Sequence, residues 1–274
     1  MSATLQPLLE ACADVARLAG ETARRHLKTG LTVERKGDGS PVTAADREAE
    51  RAARAWIERR FPEDGIVGEE LGESRPNARR RWYLDPVDGT VSFVRGVPLW
   101  GSLVGVTERA EGAAAGERVI AGAASFPALE EEIAAARGLG CWWKGSRCAV
   151  SAVASLASAT VLTTDERFAG DRAQRSGWER LAARAAISRS WGDCYGYLLV
   201  ATGRAELMCD GRLNAWDAAP FVVILEEAGG VFTDWAGRAT PFGGSAIGTN
   251  AALAGPLRRL LAGAPLPAHE GAEP

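Results

Sequence analysis

The residues best suited to chemistry lie in one short stretch, WYLDPVDGTVSF, which covers positions 82–93. Asp85 and Asp88 stand three residues apart, between an apolar, strand-like run and a Gly89-Thr90 step at which a helix is predicted to begin. The first amides of a helix have no partner within it and attract an anion such as a phosphate group. The stretch therefore combines two carboxylates with an anion-binding turn.

More acids are expected at the same place, because Glu69 and Glu70 end a neighbouring strand candidate, GIVGEE. This set of carboxylates would repel a phosphate unless cations lay between them. Mg²⁺ is typically held by a few carboxylates together with substrate phosphate, so divalent ions would reconcile the acids with the anion-binding turn. The alternative for Asp88 alone is a turn residue and helix cap, the usual role of an Asp-Gly pair. That alternative does not account for the other acids.

Composition narrows the possible partners and the compartment. The chain has 274 residues, 46% of them hydrophobic and 24% charged, as expected for a soluble globular protein. Its net charge of -3 gives no electrostatic reason to expect nucleic acid or an anionic membrane as a partner. No apolar run approaches the roughly 18 residues of a spanning helix, and no secretory signal is visible. The five cysteines lack CxxC spacing, which favours reduced thiols in a cytoplasmic protein.

Periodicity and chain breakers predict alternating sheets and helices in a layered α+β architecture. Thr43 opens a helix with Asp46 three residues on, as in a capping box. A later helix is predicted in the region 178–186, and another over about 217–228, with Pro220 in its first turn. We expect an N-terminal α+β half over residues 1–155, a C-terminal half over 156–262 that completes the site, and a disordered tail over 263–274.

The segment DPVDGTVSF, preceded by GEE and followed far downstream by WDAAP, resembles the inositol monophosphatase family of metal-dependent phosphomonoesterases. The resemblance covers nearly the whole chain, from the DGSPVTAAD segment to AGGVFTDWAG and SAIGTN. It implies a layered α-β-α-β-α sugar-phosphatase-like fold, hydrolysis of a small-molecule phosphate ester and a homodimer. It also implies two or three bound Mg²⁺ ions, for which Mn²⁺ can substitute.

The resemblance also implies roles for the residues that match the family's motifs. The implied metal ligands are the side chains of Glu69, Asp85, Asp88 and Asp217 and the main-chain carbonyl of Val87. The amides of Gly89 and Thr90 would hold the phosphate. Glu69 and the Thr90 hydroxyl, with Asp46 behind it, would position and deprotonate the attacking water. Metal ions lower the pKa of water and clamp the attacking and leaving oxygens, so this chemistry needs no histidine base. The alternatives are that Asp46 and Asp217 serve only as acids at helix N-termini.

Two further patterns, PLWGSLVGV and GDCYGYLLVATGRAEL, resemble the histidinol-phosphate phosphatase branch of the family. The implied substrate contacts are Asp193, Cys194 and Asp210, beside Gly89 and Thr90. Carboxylates there would pair with the ammonium and imidazole groups of histidinol phosphate, whereas inositol offers only hydroxyls. Asp193 could instead be the N-cap of a helix. Inositol 1-phosphate and, with less support, 3′-phosphoadenosine 5′-phosphate are the alternative substrates, and a non-catalytic binding protein is the alternative class.

Overall fold

Two β-sheets alternate with layers of helices in the computed structural model, which describes residues 5–27, 33–35, 37, 41–109 and 116–263. The helices are α1 (Gln6–His26), α2 (Ala44–Arg60), α3 (Thr90–Val94), α4 (Arg172–Ala182), α5 (Asp193–Ala201), α6 (Ala215–Glu227) and α7 (Ala254–Leu261). The strands up to residue 147 are β1 (Val33–Arg35), β2 (Pro41–Thr43), β3 (Gly65–Gly68), β4 (Gly72–Ser74), β5 (Arg80–Asp88), β6 (Gly101–Arg109), β7 (Glu117–Phe126), β8 (Glu131–Ala136), β9 (Gly140–Trp143) and β10 (Ser146–Arg147). The later strands are β11 (Thr160–Thr163), β12 (Ile187–Arg189), β13 (Leu207–Asp210), β14 (Val231–Thr233) and β15 (Ala246–Thr249).

The two large sheets differ in strand direction. The first has eight strands in the order β10-β9-β8-β7-β6-β5-β3-β4, and its neighbours are antiparallel except for β3 and β5. The second has five strands in the order β12-β11-β13-β15-β14. In it β11 runs parallel to β12 and β13, while β15 is antiparallel to both of its neighbours. The short strands β1 and β2 pair with each other.

The layers follow from which faces of the elements are apolar. Helices α1 and α2 pack against one face of the first sheet, and α6 covers the opposite face. Successive residues of β13 point to opposite sides of the second sheet, so Met208 joins the core around α6 while Leu207 and Cys209 join the core beneath α4 and α7. This order confirms the predicted α-β-α-β-α fold. The division at residue 155 stays a prediction, and the predicted disordered tail beyond residue 263 lies outside the described residues.

Two predicted helices begin earlier than expected, and in each case a capping side chain explains why. The helix expected in the region 178–186 is α4, which covers Arg172–Ala182. It begins earlier because Asp171 caps it, accepting hydrogen bonds from the amides of Ala173 and Gln174, at 2.9 and 3.0 Å. The helix expected from 217 is α6, which starts after Asn214 in a capping box. The capping box expected at Thr43 is present. Among the described helices, none is long and apolar enough to cross a membrane.

Helix α6 approaches the first sheet at two glycines. Gly105 of β6 is the cross-strand partner of Gly122 of β7. A Cβ atom placed on Gly105 would lie 2.6 Å from the Cβ of Ala219, and one on Gly122 would lie 2.7 Å from the Cα of Pro220. Such distances are sterically forbidden, so the two glycines allow the backbone of α6 to lie directly on the sheet. This contact fixes the position of α6 and therefore of Asp217, which α6 carries.

We expect Gly105→Ala to lower the free energy of unfolding by about 1–3 kcal/mol, because the added methyl group overpacks the contact with α6. The matched control is Gly116→Ala, since a Cβ at Gly116 meets no atom within 4 Å. Chemical denaturation of both variants measures the difference. If Gly105→Ala were as stable as Gly116→Ala, the close approach of α6 to the sheet would not be a constraint.

Candidate metal centre

A β-bulge at the end of β5 turns two aspartates toward one point. Asp85 pairs with Leu103 of β6 and Asp88 pairs with Gly101, so two residues of β5 stand opposite Ser102 alone. A bulge bends its strand and redirects the neighbouring side chains, and bulges are common next to active sites. Without the extra residue, positions three apart would point to opposite faces of the sheet. The bulge is therefore the local device that brings Asp85 and Asp88 together.

Asp217 reaches the same point from α6. Its Oδ2 accepts a hydrogen bond of 2.8 Å from the amide of Asn214, which closes the capping box of the helix. Its Oδ1 is buried and has no hydrogen-bond partner in the described structure. Oxygens of Asp85, Asp88 and Asp217 all lie within 4.8 Å of one another. A compact set of carboxylate oxygens, from two buried aspartates and the half-buried Asp88, fits a hard divalent cation such as Mg²⁺, all the more because one of these oxygens has no hydrogen-bond partner.

Burial and mutual repulsion both oppose ionisation of these carboxyl groups. Burial raises the pKa of Asp88 to about 7, and the charge of Asp217 adds to the shift. Burial also raises the pKa of Asp217 to about 7, with a further contribution from Glu69. The pKa of Asp85 lies well above its ordinary value, first because of burial and then because of the same neighbouring acids. The ionised cluster therefore needs positive charge between its members.

Glu69 lies beside this cluster, at the end of β3. Its amide donates a 3.2 Å hydrogen bond to the carbonyl oxygen of Leu84, the residue before Asp85. Interaction with Glu69 is the largest contribution of any neighbouring charge to the raised pKa of Asp85. The strand pairing of β3 with β5 thus adds a fourth acid to the group, as the sequence predicted. Glu70 follows it in the turn between β3 and β4.

Sequence reasoning missed Glu50, which holds the Glu69–Glu70 turn in place. Glu50 lies on α2 with its side chain fully buried, and its carboxylate accepts hydrogen bonds from the amides of Glu70 and Leu71, at 2.7 and 3.2 Å. Arg54, one helical turn later, pairs with the same carboxylate at 2.7 Å. The signal in the sequence was the spacing of Asp46, Glu50 and Arg54, which places them on one face of α2.

Asp46 and Thr90 were predicted to act together, but they are engaged separately in this structure. The Asp46 carboxylate accepts hydrogen bonds from the amide and the hydroxyl of Thr43, at 2.9 and 2.6 Å, and so caps α2. The Thr90 hydroxyl donates to the carbonyl oxygen of Val87, at 3.0 Å. The capping alternative considered for Asp46 is thus present. The predicted contact between Asp46 and Thr90 is not among the hydrogen bonds of the described residues.

The Gly89–Thr90 step forms the turn between β5 and α3. Gly89 has a φ of +81°, in the left-handed region, and it is the N-cap of α3. A Cβ atom at this position would lie 2.9 Å from the carbonyl oxygen of Leu99 and 3.2 Å from Oδ2 of Asp193. The turn thus requires glycine, and its amides adjoin the acidic cluster at the chain position expected for a phosphate group.

The start of α5 lies over the same turn. Its N-cap is Gly192, which corrects the alternative that Asp193 caps the helix. Asp193 is the first helical residue, with a φ of +51°, and its amide donates a 2.8 Å hydrogen bond to the Thr164 hydroxyl. The amide of Cys194 donates to Oδ2 of Asp88 at 2.6 Å. Asp88 therefore caps α5, the later helix, and not α3.

Of the three predicted substrate contacts that lie outside the Gly89–Thr90 turn, only Asp193 presents its side chain toward that turn. Burial raises the pKa of Asp193 well above its ordinary value, and the charges of Asp88 and Asp210 add to the shift. The Cys194 side chain is buried, and a Cβ atom placed on Gly101 would lie 3.1 Å from its Sγ. The Asp210 carboxylate is also buried, and it accepts hydrogen bonds from the Thr164 amide and the Tyr197 hydroxyl, at 3.2 and 2.9 Å. Cys194 and Asp210 thus support the segments that carry Asp193.

Known proteins resemble this chain over nearly its full length. Histidinol-phosphatase of Chlorobaculum parvum is 39% identical over 244 residues, which cover 89% of this chain and 92% of that protein. Inositol-1-monophosphatase of Rhizobium meliloti is 31% identical over 267 residues, or 95% of each chain. The crystal structure of the extragenic suppressor protein suhB from Bartonella henselae matches with a TM-score of 0.85 at 27% identity, covering 93% of this chain and 98% of that one.

The family model agrees with the individual matches. The model of the inositol monophosphatase family matches residues 4–269, which include the β5–α3 turn, the β3–β4 turn and α6. The fold and the sequence thus lead to the same assignment, with the acidic cluster inside the matched region. The chain belongs to the inositol monophosphatase family.

Proposed function

We propose that this protein is a metal-dependent phosphoric monoester hydrolase that cleaves L-histidinol phosphate to L-histidinol and phosphate. The observation that carries the proposal is the cluster of Asp85, Asp88 and Asp217 beside the Gly89–Thr90 turn. Several closely spaced carboxylates next to an anion-binding turn fit a site that binds a cation and a phosphate group together. The family assignment and the histidinol-phosphatase relative at 39% identity support the same reaction.

The proposed cofactor is Mg²⁺, as two or three ions, with Mn²⁺ able to substitute. Asp85, Asp88 and Asp217, whose oxygens lie within 4.8 Å of one another, would hold the ions together with Glu69 and the carbonyl of Val87. When bound, the ions neutralise the phosphate, lower the pKa of water and stabilise the charge that develops in the transition state. Zn²⁺ should serve poorly, because the proposed ligands are all oxygens and none is a cysteine or histidine.

The chain's own residues position the phosphate and the attacking water. The amides of Gly89 and Thr90 hold the phosphate at the start of α3. The Thr90 hydroxyl orients the water by a hydrogen bond, and Glu69 accepts the proton of the water as its oxygen attacks phosphorus. The bond between phosphorus and the ester oxygen breaks, and the leaving alkoxide takes a proton from solvent water. The hydrogen bond from Thr90 to the Val87 carbonyl must open for this, which frees both groups at once. When the Thr90 hydroxyl turns away from Val87, Asp46 accepts a hydrogen bond from it.

Glu50 is proposed as the residue that positions Glu69. It ties down the two amides that follow Glu69, and its negative charge is matched by Arg54. Partners of this kind typically change metal affinity by about 10–100-fold when removed. Glu50→Gln should therefore raise the Mg²⁺ concentration needed for half-maximal activity, whereas Glu58→Gln, on the exposed side of the same helix, should not.

The substrate assignment rests on Asp193. A Cβ atom placed on Gly89 would lie 3.2 Å from Oδ2 of Asp193, so this carboxylate lies beside the Gly89–Thr90 turn. A carboxylate at this place would pair with an ammonium or imidazolium group of the substrate, whereas a polyol phosphate offers it only hydroxyls. Inositol 1-phosphate is the second candidate, supported by the inositol-1-monophosphatase relative at 31% identity. We consider 3′-phosphoadenosine 5′-phosphate less well supported.

A phosphate-release assay with histidinol phosphate, inositol 1-phosphate and 3′-phosphoadenosine 5′-phosphate, each with Mg²⁺, tests the function. We expect the highest kcat/KM for histidinol phosphate. A higher value for inositol 1-phosphate would transfer the assignment to the second candidate. No release from any of the three would contradict the hydrolase assignment for these substrates.

We also propose a cytoplasmic homodimer that binds neither nucleic acid nor membranes. The support is the modest net charge of -3, the five free cysteines and the family resemblance. Light scattering coupled to size exclusion checks the dimer, and a monomer at micromolar concentration would contradict it.

Metal ions should reverse the pH dependence that the acidic cluster gives to stability. The pKa values of Asp88 and Asp217, about 7, lie above the unfolded value near 4. The folded metal-free protein then binds more protons than the unfolded chain between about pH 4 and 7, so this contribution to the free energy of unfolding falls as the pH rises through that window. Mg²⁺ binds the ionised cluster and should therefore stabilise the protein more at pH 7.5 than at pH 5.5.

Thermal unfolding with chelator and with Mg²⁺ measures this effect. At a hundredfold excess over Kd we expect a rise in Tm of about 5–10 °C at pH 7.5 and a smaller one at pH 5.5. Asp217→Asn keeps an acceptor for the Asn214 amide but removes a charge, and it should lose most of the shift. An equal shift in the variant, or no dependence on pH, would contradict binding at the cluster.

Asp88→Asn and Asp217→Asn should each lower kcat by about a hundredfold or more, because each removes charge that holds the catalytic cation. Both variants should stay folded, since asparagine can still accept the amide hydrogen bonds from Cys194 and Asn214. Asp14→Asn, at a half-exposed side chain, is the control and should leave kcat unchanged. Near-normal kcat in either cluster variant at saturating Mg²⁺ would show that its aspartate only caps a helix.

Asp193→Asn should lower kcat/KM for histidinol phosphate by about 10–150-fold. This corresponds to a loss of about 1.5–3 kcal/mol of transition-state stabilisation, the range for a hydrogen bond to a charged group. Hydrolysis of inositol 1-phosphate or an aryl phosphate should change far less, because the Gly89–Thr90 turn and the cluster act on the phosphate alone. Steady-state kinetics on both kinds of ester separates recognition from catalysis. Equal losses on both would show that Asp193 shapes the turn and does not recognise the alcohol.

A further inference from the structure

Two cysteines face each other at the outer end of the first sheet, far along the sheet from β5. Cys141 lies in β9 and Cys148 directly follows β10, in a hairpin in which Trp142 pairs with Arg147. The amide of Cys148 donates a 3.1 Å hydrogen bond to the carbonyl oxygen of Cys141. The two Sγ atoms are 3.4 Å apart. The proposed hydrolysis uses neither residue.

We propose that Cys141 and Cys148 form a redox-active dithiol that low-molecular-weight disulfides convert into an intramolecular disulfide. Hydrogen-bonded pairs in antiparallel strands have Cα atoms about 5.5 Å apart, which lies within the roughly 4.4–6.8 Å span that a disulfide requires. Both side chains lie on the same face of the hairpin, because the residues are directly opposite. Bond formation therefore needs only the two sulfurs to approach, without a shift of the strands.

Exposure and charge distinguish the two thiols. Cys148 is half-buried, whereas Cys141 and the other three cysteines are buried. The hydrogen bond with Cys141 and the charge of Arg204 lower the pKa of Cys148, although burial opposes them. The same hydrogen bond, burial and the charge of Glu227 raise the pKa of Cys141. Cys148 is thus the accessible nucleophile, and Cys141 is the thiol that resolves the intermediate.

The setting of Arg204 keeps its charge close to the pair. Its guanidinium stacks on the rings of Trp143 and Tyr195, at 4.9 and 5.9 Å, and pairs with Glu131 at 2.8 Å. Glu131 also accepts a hydrogen bond from Trp143. The cation is therefore fixed in place beside Cys148 by its neighbours.

The reaction proceeds by two exchange steps. The Cys148 thiolate attacks one sulfur of the reagent RSSR, the S–S bond of the reagent breaks, and RS⁻ leaves with one proton as RSH. Cys141 then loses its proton and attacks the Cys148 sulfur of the mixed disulfide, which expels a second RSH. The protein dithiol is oxidised by two electrons, and RSSR is reduced to two RSH.

Incubation of the folded protein with oxidised glutathione, followed by quenching with a maleimide in denaturant, tests the proposal. In the wild-type protein we expect three maleimide adducts in place of five, a mass lower by about 2 Da in a sample taken before the quench, and a linked peptide pair containing Cys141 and Cys148. Cys141→Ser should stop at a persistent mixed disulfide on Cys148. Cys148→Ser should keep its thiols, and Cys12→Ala should behave as the wild type.

Two results would overturn the proposal: all five thiols intact in the folded wild type, or a stable mixed disulfide with no internal bond. The peptide map of the wild type alone decides between these outcomes if a variant fails to fold. Phosphate release plays no part in the readout, so failure of the dithiol proposal and failure of the proposed hydrolysis are distinguishable.

Discussion

The repulsion among buried carboxylates is the constraint on which the rest of the structure depends. Asp85 and Asp88 come from a strand of the first sheet, and Asp217 comes from the helix that separates the two sheets. Without the constraint of the fold, these carboxylates would move apart or become hydrated, because burial of unpaired charge is costly. The fold holds them within a few ångströms of one another and raises their pKa values, so the ionised cluster favours binding of a cation from solution.

Helix N-termini help to hold these carboxylates close together. Three acids of the region each use one oxygen to accept a hydrogen bond from an amide at the start of a helix. Asp46 does so at the start of α2, Asp88 at the start of α5 and Asp217 at the start of α6. Each such start carries partial positive charge, which offsets part of the repulsion between the acids. The hydrogen bonds also fix the carboxylates in direction. Capping and metal binding are therefore compatible roles of the same side chain, so the helix-cap alternatives for Asp46 and Asp217 do not exclude the proposed site.

The sequence carried the layer order and the acidic cluster because both depend on local signals. Hydrophobic periodicity and the Asp-Gly turn are readable within a few residues, and the DPVDGTVSF and WDAAP segments lead to the family. The contacts that cross the chain were not readable in this way. Nothing near Asp88 shows that it caps α5, more than a hundred residues later, and nothing near Glu50 shows that it meets the turn after β3. The same holds for Asp210, whose hydrogen bonds depend on the packing of α5 against β13.

The central claim is that divalent cations bind between Asp85, Asp88 and Asp217 and support phosphate ester hydrolysis. Anomalous diffraction from crystals grown with Mn²⁺ tests it most directly, because Mn²⁺ scatters anomalously and is expected to support turnover. We predict strong peaks within coordinating distance of all three carboxylates, and their loss in Asp217→Asn crystals. An empty cluster in crystals of protein that is fully active with Mn²⁺, or peaks only at other sites, would contradict the account.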